Sequence, residues 1–303
     1  MIERLRTAHS LHRSTALKSD SSPITLNTVS DLRAFLTLAR GNGKTVGFVP
    51  TMGNLHQGHL DLVNKASDMT DVVVVSIFVN PMQFGPHEDF DAYPRTLKAD
   101  CEALNNNPCD AVFAPTVREV YPKGVNTEID LPSLSTILCG HHRPGHFKGV
   151  VTVVTKLLNI VQPDVAVFGN KDYQQLQVIQ TMVADLLIPV TIVGADTTRE
   201  PNGLAMSSRN AYLSAEEKET AAMLYATLKR IGDTLRSDSQ VSTTLKQEKE
   251  RLTAAGFVLD YLEIRDAQDL SKSYVEADSA VILVAAKLGR ARLIDNLVIE
   301  LKR

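Results

Sequence analysis

What this 303-residue chain lacks narrows what it does. No apolar run approaches the roughly 18 residues of a membrane-spanning helix, so no membrane partner is expected. The three cysteines, Cys101, Cys109 and Cys139, form no CxxC pair. That leaves neither a disulfide framework nor a zinc cluster and fits a reducing cytoplasm. A formal net charge of -3 gives bulk electrostatics no hold on nucleic acid, so any positive field must be local. The GxGxxG fingerprint of dinucleotide folds is missing. A Walker loop is missing too: Gly43-Lys44-Thr45 looks like its end, but residue 38, where its first glycine would stand, is Leu38. The strand there also follows the candidate loop instead of preceding it. Internal repeats and low-complexity segments are absent. With 44% hydrophobic content, the length suffices for two domains and a sizeable core.

The most informative segment present is Pro50-Thr51-Met52-Gly53-Asn54-Leu55-His56-Gln57-Gly58-His59. It follows the apolar run Thr45 to Val49, read as a buried parallel strand. It precedes Leu60 to Met69, where Leu60, Val63 and Ala66 recur at helical spacing. At a strand-to-helix turn the free N–H groups of the first helical residues and the positive end of the helix dipole suit an anion such as phosphate. Gly53 and Gly58 let the backbone approach it. His56 and His59 add side-chain donors on the same side of the helix start.

Strand and helix signals then alternate. Helix Val29 to Ala39 leads into the first strand. Val72 to Val79 is an apolar, β-branched run expected of a central parallel strand. Leu97, Cys101 and Leu104 mark a helix, Asp110 to Ala114 a strand, Val150 to Val161 a helix, Val165 to Phe168 a strand, Gln174 to Leu187 a helix and Val190 to Val193 a strand. The alternation predicts an α/β fold, a Rossmann-like doubly wound parallel sheet over residues 24–197, whose ligands bind beyond the carboxyl ends of the strands. Beyond residue 197 two helices, Ala215 to Arg236 and Thr243 to Ala255, precede strands at Leu259 to Arg265, Ala280 to Ala286 and Arg292 to Asp295. Residues 198–303 thus read as a smaller C-terminal α+β lid domain. Residues 1–23, rich in Ser, Arg and His and poor in acids, read as a disordered extension. Their composition resembles a transit peptide without its amphipathic face, so organelle targeting stays open.

Polar residues gather where the predicted strands end. Asn80 and Gln83 follow one strand; Gly169-Asn170-Lys171-Asp172 and Gln175 follow another. The amides Asn80, Gln83 and Gln175 donate and accept, which suits a substrate with hydroxyls and a carboxylate; turn formation is the alternative role. Lys171 follows a glycine at a second strand-to-helix turn, where a compact cation can reach a polyphosphate. Asp172 is equally suited to cap the helix. Met206-Ser207-Ser208-Arg209, after Glu200-Pro201-Asn202-Gly203, combines hydroxyls, backbone N–H groups and a guanidinium as a mobile phosphate clamp. In His141-His142-Arg143-Pro144-Gly145-His146, Pro144 and Gly145 break any helix that would align His142 with His146 for a metal. A substrate-covering loop with Arg143 or His146 near an anion is the expectation there.

The segments PTMGNLHQGH, VSIFVNPMQF, YPRT, GNKDYQQ and GLAMSSRNAYL, in this order and spacing, resemble the pantothenate synthetase family over residues 24–303. That family belongs to the nucleotidyl-transferring superfamily with the HIGH motif, shared with class I aminoacyl-tRNA synthetases, and the MSSR segment resembles their second signature. The resemblance implies an ATP-dependent, AMP-forming ligase that joins pantoate to β-alanine through pantoyl adenylate. It implies ATP contacts at Met52, Gly53, Asn54, Leu55, His56, Gln57, Gly58 and His59, with His59 as proton donor. Gly169, Asn170, Lys171, Asp172, Thr198, Met206, Ser207, Ser208 and Arg209 would complete the nucleotide site. Gln83 and Gln175 would hold pantoate, and Asn80 with Gln83 would border β-alanine. Catalysis would fall to His56, His59, Lys171, Ser207, Ser208 and Arg209. Mg²⁺ dependence and a homodimer are implied as well, with the metal ligands left open. The family has Glu where this chain has Asn170. A nucleotidyltransferase that leaves the nucleotide on its product is the nearest competing reading. It has no use for the joint presence of NPMQF and KDYQQ.

Overall fold

The computed structural model describes residues 22–86, 88, 90–237 and 240–301. Residues 1–21 of the expected N-terminal extension lie outside the described residues. Six strands form the first sheet: β1 (Ile24–Leu26), β2 (Val46–Thr51), β3 (Val72–Ile77), β4 (Ala111–Phe113), β5 (Val165–Gly169) and β6 (Thr191–Ala195). All of them pair in parallel, in the order β1-β4-β3-β2-β5-β6.

Side chains alternate between the two faces of this sheet. Val46, Phe48, Val74, Ala166 and Phe168 join one core, which includes α1 (Val29–Gly41), α7 (His146–Val161) and α8 (Tyr173–Asp185). Val49, Val73, Val75, Val165 and Val167 join a second core with α2 (Gln57–Ser67) and α3 (Leu97–Leu104). Helices on both faces explain the unbroken valine run of β3, for neither face meets water. Between β3 and α7 lie a 3₁₀ turn (Pro81–Gln83) and three single-turn helices, α4 (Val117–Val120), α5 (Pro132–Ser135) and α6 (Cys139–His142).

Strand order decides where a ligand goes. From β2 the chain crosses to β3 on one side, while β5 pairs on its other side through Gly47 and Phe48. The loops after β2 and β5 therefore diverge at a topological switch point, where open α/β sheets leave a crevice at the carboxyl ends of their strands.

The C-terminal part holds an antiparallel sheet β7-β8-β9: β7 (Val258–Asp266), β8 (Ser279–Leu288) and β9 (Ala291–Glu300). Leu262, Ile264, Ile282 and Val284 pack on its helices, α10 (Met223–Arg236) and α11 (Val241–Ala254). Tyr261, Val281, Leu283 and Ala285 join the core of the parallel sheet instead. The expected single helix Ala215 to Arg236 is two, α9 (Ala215–Ala221) and α10, meeting at Ala222. Strand β9 is longer than the expected Arg292 to Asp295, because Asn296 and the residues to Glu300 continue the ladder to β8. Among the described residues no helix is long and apolar enough to cross a membrane.

Candidate active site

The turn after β2 is built on two consecutive left-handed residues, Gly53 (φ 80°) and Asn54 (φ 51°). Such a turn needs external support, and Asp100 of α3 supplies it. Its buried carboxylate accepts from the Asn54 N–H (3.1 Å), the Leu55 N–H (2.8 Å) and the Thr96 hydroxyl (3.1 Å). Thr51 accepts from the Gly53 N–H and donates to the Ser76 carbonyl. Asp100 is not legible in the sequence, where an acid in the first turn of a helix is an ordinary feature.

His56 caps α2, and its backbone N–H donates to Nδ1 of His59 at 3.3 Å, with the rings 4.1 Å apart. Because Nδ1 of His59 accepts, the proton of the neutral ring sits on Nε2. Burial, then the charge of Lys171, lowers the pKa of His56 to about 4. Burial, then His56, lowers that of His59 to about 3. The pair thus serves the free protein as neutral hydrogen-bond donors and not as cations. Nδ1 of His56 is buried without a hydrogen-bond partner, and a side chain at Gly58 would press on the His56 ring.

The turn after β5 carries Gly169, Asn170, Lys171 and Asp172. Asn296 of β9 donates to the carbonyls of Asn170 and Lys171, both at 2.8 Å, and so fixes this turn from the other sheet. Lys171 lies 3.8 Å from the Asp172 carboxylate. The Asn170 side chain turns toward β6: it donates to Asp196 (3.4 Å) and fills the space that a side chain at Gly194 would need.

The Met206 to Arg209 segment meets the first motif directly. Ser208 donates to the Asn54 carbonyl (3.1 Å), while Ser207 caps the 3₁₀ helix Ser208–Tyr212 by accepting from the Arg209 N–H. The Met206 N–H donates to the Thr198 carbonyl (2.9 Å), and the Thr198 hydroxyl donates to Asp61 of α2. Asp61 also accepts from Gln57 at 2.8 Å. Behind this segment Arg199 makes a two-point ion pair with Asp295 of β9 (2.7 and 2.9 Å) and stacks on Tyr225, 3.6 Å from its ring centre.

A cleft of about 700 Å³ opens between the sheets. Lys171, Asp172, Gln175, Ser207 and Arg209 line it, together with Arg143 and His146. His56, His59, Asn80 and Gln83 are not among its lining residues. They are joined to it through the Lys171 charge felt by both rings and through Arg143 and His146, which touch the Gln83 carbonyl. Both neighbouring amides of α8, Gln174 and Gln175, line the cleft. Gln174 is buried and its amide is engaged by Leu134, Ile137 and Cys139 of the α5–α6 segment, which leaves Gln175 for a ligand.

Asn80 is 1% exposed, and its amide is fully engaged. It donates to the Gly149 carbonyl (3.1 Å) and to Gln83 (3.3 Å) and accepts from the Met82 N–H and the Tyr121 hydroxyl (3.0 Å). Nε2 of Gln83 meets the Met52 sulfur at 2.9 Å, which ties this turn to the histidine motif.

The anion expected beside Arg143 is the carboxylate of Glu88, bound at two points (2.6 and 2.5 Å). Burial pushes Glu88 up, but the hydrogen bonds and charge of Arg143 outweigh it and hold the carboxyl below its usual range. His146 bridges Arg143 (2.9 Å) and the Gln83 carbonyl (2.8 Å), and burial, then Arg143, lowers its pKa to about 3. The His141 to His146 stretch is broken as expected: α6 ends at His142, Gly145 takes a left-handed conformation, and α7 starts at His146. Among the described residues no three His, Cys, Asp or Glu side chains converge as a metal cage.

The model of the pantoate-beta-alanine ligase family matches residues 24–298. The chain is 55% identical to the pantothenate synthetase of Pseudomonas putida (strain W619) over 280 residues, 91% of this chain and 98% of that protein. It is 53% identical to the pantothenate synthetase of Shewanella oneidensis over 276 residues, 90% of this chain and 98% of the other. Its fold matches the crystal structure of pantothenate synthetase from Thermus thermophilus with a TM-score of 0.85 at 45% identity, covering 90% of this chain and 98% of that one. The pantoate-beta-alanine ligase of Francisella tularensis, solved with Beta-gamma ATP and β-alanine, matches with a TM-score of 0.76 at 35% identity, covering 91% and 97%.

Proposed function

The chain belongs to the pantoate-beta-alanine ligase family, and from that premise we propose how its own residues carry the reaction. It condenses pantoate with β-alanine at the expense of ATP through pantoyl adenylate, releasing pyrophosphate and AMP. One observation carries the assignment of roles: Ser208 bonded to Asn54 at the switch point between β2 and β5 joins both halves of a phosphate grip.

In the first step the pantoate carboxylate attacks the α-phosphorus of ATP in line, and charge grows on the α-phosphate oxygens and the departing pyrophosphate. The Nε2–H of His59 and the ring of His56 donate from one side of the grip. Lys171, Ser207 and Arg209 stabilise charge from the other, with Ser208, whose hydroxyl proton is committed to Asn54, joining through its backbone N–H, each well-placed donor contributing about a hundredfold in rate. Neutral rings suit the free site, and a bound phosphate would draw a proton onto His59 at the moment it is needed. The backbone of Met52 to Gly58 and of Gly169 to Asp172, with Thr198 and Met206, frames the nucleotide. Gln83 and Gln175 hold pantoate, and Asn80 supports the border with the β-alanine site. In the second step the β-alanine amine attacks the acyl carbon and expels AMP. An amine with a pKa of about 10 must first lose its proton.

Mg²⁺ would enter with the nucleotide. It favours phosphate oxygens plus one or two carboxylates over an all-protein cage; of the acids that line the cleft, Glu88, Asp260 and Asp295 are paired with arginines, so Asp172 is the one that would hold it. Bound there it would neutralise phosphate charge. We take residues 24–197 as the ATP- and pantoate-binding domain and 198–303 as its lid, in a cytoplasmic homodimer. The free thiols of Cys101, Cys109 and Cys139 support a reducing compartment.

A single-turnover assay tests the order of chemistry. ATP and pantoate alone release one equivalent of pyrophosphate, and AMP appears only after β-alanine is added. Pyrophosphate release that requires β-alanine refutes the adenylate route.

A further inference from the structure

We propose that Tyr121 is a positioning residue: its buried hydroxyl holds in place the Asn80 amide, whose polarity the backbone sets, and through it the Gln83 amide with its N–H groups toward the substrate, so that Gln83 recognises an oxygen acceptor of the acyl substrate. The inference rests on Gln83 as a pantoate ligand and specifies how that contact works.

Backbone groups of fixed polarity set the direction of every bond in this network. The Gly149 carbonyl only accepts, so the end of Asn80 that faces it at 3.1 Å is the NH₂ end. The Met82 N–H only donates, so the end that faces it at 3.3 Å is the oxygen. With both ends assigned by backbone, the Tyr121 hydroxyl at 3.0 Å from that oxygen must donate. Burial raises the Tyr121 pKa to about 12, so its proton is present throughout the working range. The second N–H of Asn80 then points to Gln83 at 3.3 Å and demands an acceptor there, which turns Oε1 of Gln83 inward. Nε2 of Gln83 is left facing outward.

Among the described residues that NH₂ group meets only the Met52 sulfur, at 2.9 Å. A thioether is a weak acceptor, so a substrate carboxylate or hydroxyl displaces it at little cost. Met52 belongs to the histidine motif, so pantoate and nucleotide sites share this placeholder.

The base of the relay is rigid for a steric reason. A Cβ on Gly149 would lie 2.2 Å from the Met82 carbonyl oxygen and 2.7 Å from the Gln83 nitrogen, so α7 reaches the 81–83 turn only with glycine there. Tyr121 is seated between the Phe78 ring and Lys156, whose ammonium lies 5.2 Å from its ring centre. Phenylalanine retains that seat and removes only the donor.

The test measures steady-state KM values in Tyr121→Phe, Gln83→Ala, Gln83→Glu and the Tyr121→Phe/Gln83→Ala pair. Tyr121→Phe raises KM for pantoate about tenfold while KM for ATP stays within about twofold. In the Gln83→Ala background it adds nothing further, because the group it orients is gone. Gln83→Glu binds pantoate no better than Gln83→Ala, since an acceptor replaces the donor. An unchanged pantoate KM in Tyr121→Phe, or independent additive effects in the pair, overturns the relay while Gln83→Ala still verifies the ligand. Gln83→Glu with near wild-type pantoate KM overturns the donor assignment even if Tyr121→Phe folds poorly. A pantoate KM unchanged in Gln83→Ala refutes the ligand assignment and the relay with it.

Discussion

The two sheets serve the cleft in opposite ways. The parallel sheet contributes what lies beyond its strands, the turns after β2, β3 and β5, while its strand interiors are apolar on both faces. The antiparallel sheet contributes from within a strand: Asp295 and Asn296 of β9 are buried, yet they hold Arg199 and the carbonyls of Asn170 and Lys171. Turn residues have free backbone donors and room to meet a ligand. Residues inside a ladder have fixed positions and make better supports. The difference teaches that chemistry and support are divided between the sheets, and substitutions in the two should fail differently.

The largest effect is expected at the turns. His59→Ala and Lys171→Ala each lower kcat about a hundredfold or more, with circular dichroism and thermal unfolding close to wild type. Near wild-type turnover in both variants contradicts their roles. On the antiparallel side, Asp295→Ala removes the buried carboxylate that pairs with the partly buried Arg199 and costs about 3 kcal/mol of stability, read from urea unfolding. Activity per folded molecule then falls less than in Lys171→Ala. A stability within 1 kcal/mol of wild type would show that β9 is not the support described (about the noise of such a comparison).

A smaller effect separates the half-buried histidines of the site from exposed ones. His56, His59 and His146 have pKa values lowered to about 4, 3 and 3. The unfolded chain takes up protons near pH 6.5 while the folded one does not, so their stability contribution is complete above pH 6.5 and is lost as pH falls toward about 3. For a ring such as His59 the loss reaches about 1–2 kcal/mol at pH 5. Unfolding midpoints at pH 7.5, 6 and 5 measure it; a midpoint that does not fall below pH 6.5 contradicts neutral burial.

What the sequence made legible follows the same division. Period-two and period-3.6 patterns mark β2, β3, β5 and their helices because one physical force, burial, shapes them. The motif residues stand at strand ends, where polar groups stand out against apolar runs. Asp295 and Asn296 break the apolar pattern of β9, so the strand reads short, although they are buried; their partners lie far away in the chain and leave no local sign. Asp100 and Tyr121 are hidden for a related reason. Each reads as an ordinary residue of its own segment, an acid in a helix or an aromatic before proline, and gains meaning only from Asn54, Leu55 or Asn80 across the fold. The break at Ala222 carries no glycine or proline to announce it.

The hold of Asn296 on the Lys171 turn also sets a timetable. Those contacts join residues 126 and 125 positions apart. At translation rates of about 5–20 residues per second, the turn leaves the ribosome roughly 6–25 s before its anchor exists. A nascent chain can hold β2 and β5 long before it can grip a nucleotide. Competence for ATP is therefore among the last properties the newborn protein acquires.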